Sequence, residues 1–300
     1  MNQLPQKPEI LAIGSVLWDV IGRATAHMRV GSDVPGRITR LPGGVAMNIA
    51  MTLTRFGQTP AILTAIGEDM QGAELMAEAR QLGINTDYVY RSADLPTDRY
   101  MAIEGANGLI AAIADAHSLE AAGDKILRPL ADGRLGSTDA PYEGAIALDG
   151  NLTRALLEDI ATSDLFVKAD LRVAPASPGK AERLQPFLNH TRATLYVNLE
   201  EAGLLCQRTF DTSQEAAKGL LERGAKRVLV TDGGKPACDG NADGLVTSCP
   251  PEVLVTRVTG AGDTFMAAHM VRESRGASRE EALKGALHAA AIYVSGDTAK

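Results

Sequence analysis

Cysteine, aromatic residues, long apolar runs and basic clusters are all scarce in this chain. Its three cysteines, Cys206, Cys238 and Cys249, have neither an even pairing nor metal-ligand spacing. That argues against a disulfide framework or a zinc site and makes a reducing compartment the default. No run of about 18 apolar residues is present, so a membrane-spanning helix is not expected. The opening MNQLPQKPEI lacks the apolar core of a signal peptide, and the expected location is the cytoplasm, with no membrane partner. Lysine and arginine (30) are outnumbered by aspartate and glutamate (37), giving a net charge of -7. A nucleic-acid partner is therefore not expected, although local groups can still hold a small anion. His27, His117, His190, His269 and His288 form no metal spacing, and His269, two turns into a late helix, reads as structural. Two glycine patterns fail as phosphate fingerprints. Gly31 to Arg37 and Gly67 to Gly72 have P-loop-like spacing but lack the Lys-Ser/Thr pair, which excludes a P-loop enzyme. The motifs of a protein kinase are also missing. Gly14-Ser-Val-Leu-Trp lacks the later glycines of a dinucleotide fingerprint, which disfavours a nucleotide-linked dehydrogenase.

What is present is an alternation of short apolar runs and longer helical patterns. The 300 residues, 45% hydrophobic, suffice for one large α/β domain or two smaller ones. Strands are expected at Ile10–Ile13, Ala61–Ile66, Ala145–Leu148, Leu195–Val197 and Arg227–Thr231. Helices are expected at Val45–Phe56, Gly72–Leu82, Leu152–Ile160, Ser213–Arg223 and Arg279–Val294. Gly57 and Gly83 stand where helix-terminating glycines belong. Such alternation predicts a mainly parallel sheet with helices on both faces. Residues 88–115 break it: two β-like runs flank Gly105-Ala-Asn-Gly108 and read as a hairpin. With the glycine-punctuated residues 16–40 they predict a small projecting sheet, either a lid or an edge meander.

The most informative segment is Thr259-Gly-Ala-Gly-Asp-Thr-Phe265, which runs directly into a helix-like stretch ending near Arg272. A glycine-rich turn at a helix N-terminus leaves N–H groups free to point at an anion, and the helix dipole adds partial positive charge. Asp263 in the first turn then stands beside that anion, an arrangement suited to moving a phosphoryl group onto a hydroxyl. The same residues also fit a plain tight turn with a first-turn acid worth about 0.5 kcal/mol. In open parallel sheets, ligands bind beyond the carboxyl ends of the strands. Asp149-Gly-Asn151, Asn198 with Glu200 and Glu201, and Asp232-Gly-Gly234 all follow expected strands. Trp18-Asp19 lies just beyond the first, and Pro42-Gly-Gly44 precedes the helix carrying Asn48. Each alone fits turn or cap chemistry; together they predict a site on one edge.

These residues resemble the ribokinase-like (phosphofructokinase-B, PfkB) carbohydrate and nucleoside kinases. The first signature is similar to Leu41-Pro-Gly-Gly-Val-Ala-Met-Asn-Ile-Ala50 and continues through Gly57, Gly67-Glu-Asp69 and Gly72. The second resembles Val258–Phe265, with Asn198-Leu-Glu-Glu201 and Val230-Thr-Asp-Gly-Gly234 between them. Within the family, Pro42–Asn48, Val258-Thr259, the hairpin Tyr100–Asp115 and Ser177-Pro-Gly-Lys-Ala-Glu-Arg-Leu184 are similar to pseudouridine kinases.

The resemblance implies a three-layer α/β/α sandwich with a mostly parallel central sheet and a small β-sheet lid. It implies one kinase domain over 1–300, with lid segments near 16–40 and 88–115. Asp263 would accept the proton of the attacking hydroxyl, and Gly260, Ala261 and Gly262 would donate N–H groups to the transferring phosphoryl group. Asn198 and Glu201 would organise Mg²⁺ near ATP, largely through water. Thr231, Gly233 and Thr259 would border the nucleotide, and helix Ala286–Ala291 would lie against its adenine. Asp19, Gly43, Gly44 and Asn48 would hold ribose hydroxyls, with Asp149 and Asn151 either on the substrate's far side or in a plain loop turn. The implied reaction is ATP-dependent phosphorylation of a primary hydroxyl of a ribose-containing nucleoside or sugar, with pseudouridine first. Ribose, another nucleoside and a sugar acid such as 2-keto-3-deoxygluconate are rivals, and a catalytically weak nucleoside or sugar sensor is the alternative of a different class. An exposed lid sheet would also serve as the contact of a homodimer.

Two positions depart from the family pattern. Arg257 stands where relatives often carry Asp or Asn in a segment that helps hold a monovalent cation; it either disfavours that ion, making the rate insensitive to K⁺, or faces solvent. Ala174 stands where relatives often place Asp after a strand, which weakens the phosphate and metal shell but not the base. Trp18, the single tryptophan, either stacks on a ligand ring or packs in the core.

Overall fold

Short, mostly apolar runs form the large sheet. In the structure, a computed structural model describing residues 7–29 and 31–296, β1 (Ile10–Ile13) leads into β2 (Leu17–Arg23), β3 (Arg37–Gly43) and α1 (Val45–Arg55). There follow β4 (Ala61–Leu63), β5 (Ala65–Gly67), α2 (Met70–Gln81), β6 (Tyr90–Ser92), β7 (Arg99–Gly105), β8 (Gly108–Asp115), α3 (His117–Ala122) and α4 (Arg128–Ala131). The remainder is β9 (Ala145–Asp149), α5 (Arg154–Thr162), β10 (Asp170–Ala174), β11 (Ala193–Asn198), α6 (Leu199–Cys206), α7 (Ser213–Glu222), β12 (Arg227–Asp232), β13 (Lys235–Asn241), β14 (Gly244–Ser248), α8 (Ala261–Ser274) and α9 (Arg279–Ser295). The expectations touching residues 1–6, Val30 and 297–300 lie outside the described residues.

The large sheet has the order β14-β13-β12-β11-β10-β9-β1-β4. Its pairings from β4 to β12 are parallel, and β13 and β14 add an antiparallel edge. Side chains alternate between two apolar layers. Leu11 and Ile13 of β1 join the layer containing Leu157, Leu205 and Leu220 of α5–α7, whereas Ile10 and Ala12 join Met47, Leu53, Met266 and Leu283 of α1, α8 and α9. Burial on both faces explains why the central strands read as continuous apolar runs. Helix starts also follow local chemistry. Asp69 caps α2 by accepting from Gly72 N–H, and Ser278 and Glu281 form a reciprocal capping box on α9.

The projecting segments form a separate four-stranded sheet, β3-β2-β7-β8, rather than an edge meander of the large one. Strand register places Asp19, Leu41, Tyr100 and Ala114 on one face; Ile38, Met101 and Ile113 share the other. Two expectations need correction. Ala61–Ile66 is not one strand, because the chain leaves the large sheet after Leu63 and β5 pairs with β6. The antiparallel edge and β10 are additions to the expected strands: Asp170 and Arg172 interrupt the apolar run of β10.

Arg172 is held by Asp170 at 2.6 Å and by Glu273 of α8. Glu273 also pairs with Arg227 at 2.6 Å, Arg227 with Asp239 at 2.7 Å, and Arg279 of α9 with Asp239 at 3.1 Å. The ladder ties both C-terminal helices to the sheet. Asp239 is fully buried, and the guanidinium groups of Arg227 and Arg279 hold its carboxyl below the usual range despite burial. Asp239→Asn leaves two enclosed guanidinium groups short of countercharge and is expected to cost about 3 kcal/mol in urea unfolding; a loss under about 1 kcal/mol contradicts that account.

Candidate active site

Two glycines let the lid strand and α1 meet at the carboxyl edge. A Cβ at Gly43 would stand 2.0 Å from Asp19 Oδ2, and a Cβ at Gly44 would stand 2.5 Å from Ser15 O. Gly44 also has φ 93°, a conformation that L side chains rarely adopt. Larger residues would push Asp19 away from the start of α1. Burial raises the Asp19 carboxyl to about 6.

Asn48, in the first turn of α1, donates from Nδ2 to Asp263 Oδ2 at 2.9 Å. Asp263 sits in the first turn of α8, half-buried at the head of that helix. Burial raises its carboxyl to about 7; the Asn48 bond opposes the rise, and the negative fields of Asp149, Glu201 and Asp19 reinforce it. The turn before it is open. Gly260 has φ 87°, and nothing stands within 4 Å of the position a Cβ would take at Gly262. Among the described residues, the N–H groups of Gly260, Gly262 and Asp263 donate to no protein acceptor. The Ala261 N–H differs from these three: it closes the turn on Val258 O at 3.1 Å. A helix start with three open amides beside a carboxylate matches the geometry for holding an anion next to a base.

The other expected residues fall on the same edge but play different local parts. Asp149 is fully buried; it accepts from Ser15 N–H at 2.8 Å and Ser15 Oγ at 2.6 Å, and from Asn151 N–H at 2.8 Å. Its carboxylate thus holds the loop after β1, and Ser15 Oγ in turn accepts from Val45 N–H at 2.9 Å. A Cβ at Gly14 would stand 2.2 Å from Asp149 Cβ, so this approach also needs glycine. Asn151 donates to Ser15 Oγ at 3.0 Å and accepts from Lys180 Nζ. Ala174 pairs with Asp149 in register and its carbonyl accepts from Gly150 N–H at 2.8 Å.

Asn198 and Glu201 form a capping box on α6: Asn198 Oδ1 accepts from Glu201 N–H at 2.9 Å, and Glu201 Oε2 accepts from Asn198 N–H at 2.8 Å. Burial raises the Glu201 carboxyl to about 7. Among the described residues, the box leaves Glu201 Oε1 and Asn198 Nδ2 without a protein partner. Thr231 pairs with Asn198 across β11 and β12, and Gly233, at φ 54°, turns the chain into β13. Thr259 presents its carbonyl to the hydroxyl of Tyr293 at 2.8 Å.

Beside the head of α8, the last turns of α9 border a cleft of about 310 Å³ lined by Val253, Leu254, His288, Ala291 and Ile292. A second cavity of about 380 Å³, lined by Ile10, Ala145 and Arg172, lies at the amino ends of the strands, away from this edge. Trp18 is buried, donates from Nε1 to Gln71 O at 3.0 Å and carries the Arg40 guanidinium 4.1 Å over its ring, so it packs in the protein. His269 is buried beneath Phe265 with Nδ1 2.8 Å from the Tyr196 hydroxyl, a structural position. Ser15, Lys180 and Tyr293 are the residues that sequence reasoning missed. Ser15 and Tyr293 carry no motif signal; Lys180 lay inside Ser177–Leu184, a segment noted only for its likeness.

No group of three or more His, Cys, Asp or Glu side chains able to enclose a metal occurs among the described residues, nor does any helix there have the length and apolarity to cross a membrane. The pattern of the pfkB family carbohydrate kinases matches residues 7–299. Pseudouridine kinase from Escherichia coli (strain K12) is 27% identical over 267 residues, covering 87% of this chain and 82% of its own. A carbohydrate kinase from Agrobacterium tumefaciens superimposes with a TM-score of 0.81 at 26% identity, covering 97% of this chain and 92% of that one. Arabidopsis thaliana ribokinase, solved with ribose and ATP, shares the fold at a TM-score of 0.77 and 22% identity, covering 96% of this chain and 93% of its own. With the ribokinase-like fold and a family match spanning nearly its whole length, the chain belongs to the pfkB family of carbohydrate kinases.

Proposed function

We propose that this kinase transfers the γ-phosphoryl group of ATP to a primary hydroxyl of a ribose-containing nucleoside or sugar, with pseudouridine as the first acceptor. The observation that carries this reading is the half-buried Asp263 carboxylate, tuned to about 7, beside the open amides of the α8 turn. A base with a pKa near the working pH combines a useful charged fraction with real proton affinity.

Asp263 takes the proton from the acceptor hydroxyl as that oxygen bonds to the γ-phosphorus. The bond from phosphorus to the bridging oxygen breaks, and ADP leaves with the electron pair. The N–H groups of Gly260, Gly262 and Asp263 face the charge on the transferred group. Asp19 and Asn48, set by the Gly43-Gly44 turn, hold the acceptor's vicinal hydroxyls: a carboxylate only accepts, whereas a carboxamide donates and accepts. Asn151 and Lys180 face the far side of the acceptor, with Asp149 holding their loop. Thr231, Gly233 and Thr259 border the nucleotide, whose base fits the cleft between Val253-Leu254 and α9.

Glu201 fits Mg²⁺ held mostly through water and phosphate oxygens, because its Oε1 has no protein partner among the described residues, whereas Asn198 Nδ2, a donor, suits a phosphate oxygen or a water rather than the ion. The ion would supply charge neutralisation for the phosphates. The described chain works as one kinase unit: the lid face bearing Asp19 covers the acceptor and excludes water, and the apolar outer face supports contact with a second copy. The likeness to pseudouridine kinase and the Asp19–Asn48 pair support a ribose-bearing acceptor.

The test is ADP release from MgATP with pseudouridine, other nucleosides, ribose and 2-keto-3-deoxygluconate. Turnover of pseudouridine with the highest kcat/KM is expected. Ligand-induced thermal stabilisation without turnover of any acceptor would show a sensor instead. Asp263→Asn is expected to lower turnover by ~10²–10⁴-fold with acceptor KM within a few-fold; wild-type turnover removes the base assignment. Since Asp263 accepts a proton only when ionised, kcat/KM is expected to rise with pH through an apparent pKa near 7, a property of the coupled acid cluster. Asn48→Ala removes a donor that favours the ionised form and is expected to move that limb to higher pH; a shift to lower pH contradicts the assignment. Finally, the rate is expected to be indifferent to K⁺, since Arg257 brings its own cation to the segment before the anion-hole turn; a several-fold stimulation by K⁺ contradicts this.

A further inference from the structure

The last turn of α9 is fastened to the anion-hole turn. Thr256 donates to Val294 O from its N–H at 2.8 Å and from Oγ1 at 3.1 Å, and Arg257 N–H reaches the same carbonyl at 3.3 Å. Carbonyls in the last turn of a helix have no α-helical partner, so segment 256–257 satisfies groups that α9 leaves open. Arg257 then folds over Tyr293. Its Nε donates to Tyr293 O at 2.8 Å, and its guanidinium carbon lies 4.0 Å from the ring centroid. The negative end of the helix dipole and the negative face of the ring both favour a cation there.

Held in this way, the Tyr293 hydroxyl donates to Thr259 O at 2.8 Å. A planar trans peptide points its C=O and N–H in opposite directions. Pulling the Thr259 carbonyl toward α9 therefore aims the Gly260 N–H away from it, on the side where no described protein group accepts it. A Cβ at position 260 would stand 2.5 Å from the Tyr293 oxygen, so the ring fits only beneath glycine. The clasp and the glycine are two halves of one arrangement.

We propose that Tyr293 and Arg257 are positioning residues for phosphoryl transfer: they hold the 259–260 peptide in the orientation that presents the Gly260 N–H to the transferred group. The inference rests on the kinase reading above. It assigns work to the C-terminal turn of α9, where the Tyr293 hydroxyl bonds the Thr259 carbonyl rather than the Asp263 carboxylate.

Two measurements test it on the full chain. In turnover, Tyr293→Phe keeps the ring and loses the hydroxyl; kcat is expected to fall about tenfold or more with acceptor KM within about twofold, as for a misaimed stabilising group. In titration, Tyr293→Phe is expected to bind MgADP as the wild type does and to lose about tenfold in affinity for MgADP with aluminium fluoride, which mimics the group in flight. Arg257→Gln is expected to give a smaller loss of the same kind, and the double variant to lose less than the product of the two, since both act through one peptide. Ser278→Ala loosens the opposite end of α9 and is expected to lower the melting temperature without moving kcat or either affinity. Unchanged kcat and unchanged fluoride-complex affinity in Tyr293→Phe overturn the proposal while leaving the kinase reading intact. A wild-type chain that binds no MgADP and turns over no acceptor overturns both.

Discussion

The hydrogen bond from Asn48 to Asp263 is the joint on which this site turns. It connects the first turn of α1 to the first turn of α8, residues 215 positions apart. Each helix buries its apolar face on the same side of the sheet, which brings the two starts together without further instruction. The bond settles two things at once. It holds Asp263 Oδ2 against the start of α1. It also holds the carboxylate's proton affinity in check against burial and three neighbouring acids. Without that donor the acid cluster would lean further toward the protonated, inert form.

Around this joint the chain spends its glycines on close approaches. Gly14, Gly43, Gly44 and Gly260 each stand where a Cβ would meet Asp149, Asp19, Ser15 or Tyr293 at 2.5 Å or less. These are contacts between elements rather than flexible turns, so the site is rigid where its polar groups converge. Buried Asp149 serves the same end. Its oxygens are taken up by Ser15 and Asn151, and Ser15 passes the constraint to the start of α1. Acidic groups concentrated at one edge would repel one another and any phosphate. The open amides of α8, the shifted proton affinities of Asp19, Glu201 and Asp263, and Lys180 offset that repulsion.

Much of this was legible in the sequence because its signals are local. The apolar runs of β1, β9, β11 and β12 announce buried parallel strands, and Gly57 and Gly83 mark helix ends. The turn Gly260–Gly262 before an acid announces a helix start with open amides. The pairings between distant segments were not legible. Nothing near Asp149 in the sequence says that it faces Ser15, which made a substrate contact and a loop turn equally readable. Nothing near Thr259 points to Tyr293. Ala261 looked equivalent to its glycine neighbours, yet its amide is consumed by Val258, a detail of turn geometry. The interrupted β10 hid because Asp170 and Arg172 break its apolar run, and Glu273, the α8 partner that lets Arg172 be enclosed, stands 101 positions away. Asn198 and Glu201 show the converse: a spacing read as metal chemistry is also a capping box, and the fold uses it as one, with Glu201 Oε1 and Asn198 Nδ2 left without a partner among the described residues.

The most direct test of the central claim is a crystal structure with MgADP, aluminium fluoride and the acceptor that turns over best. The account predicts the fluoride group on the amides of Gly260, Gly262 and Asp263, with the acceptor hydroxyl about 3 Å from the Asp263 carboxylate. A fluoride group seated elsewhere, or an acceptor hydroxyl facing a different base, would contradict it.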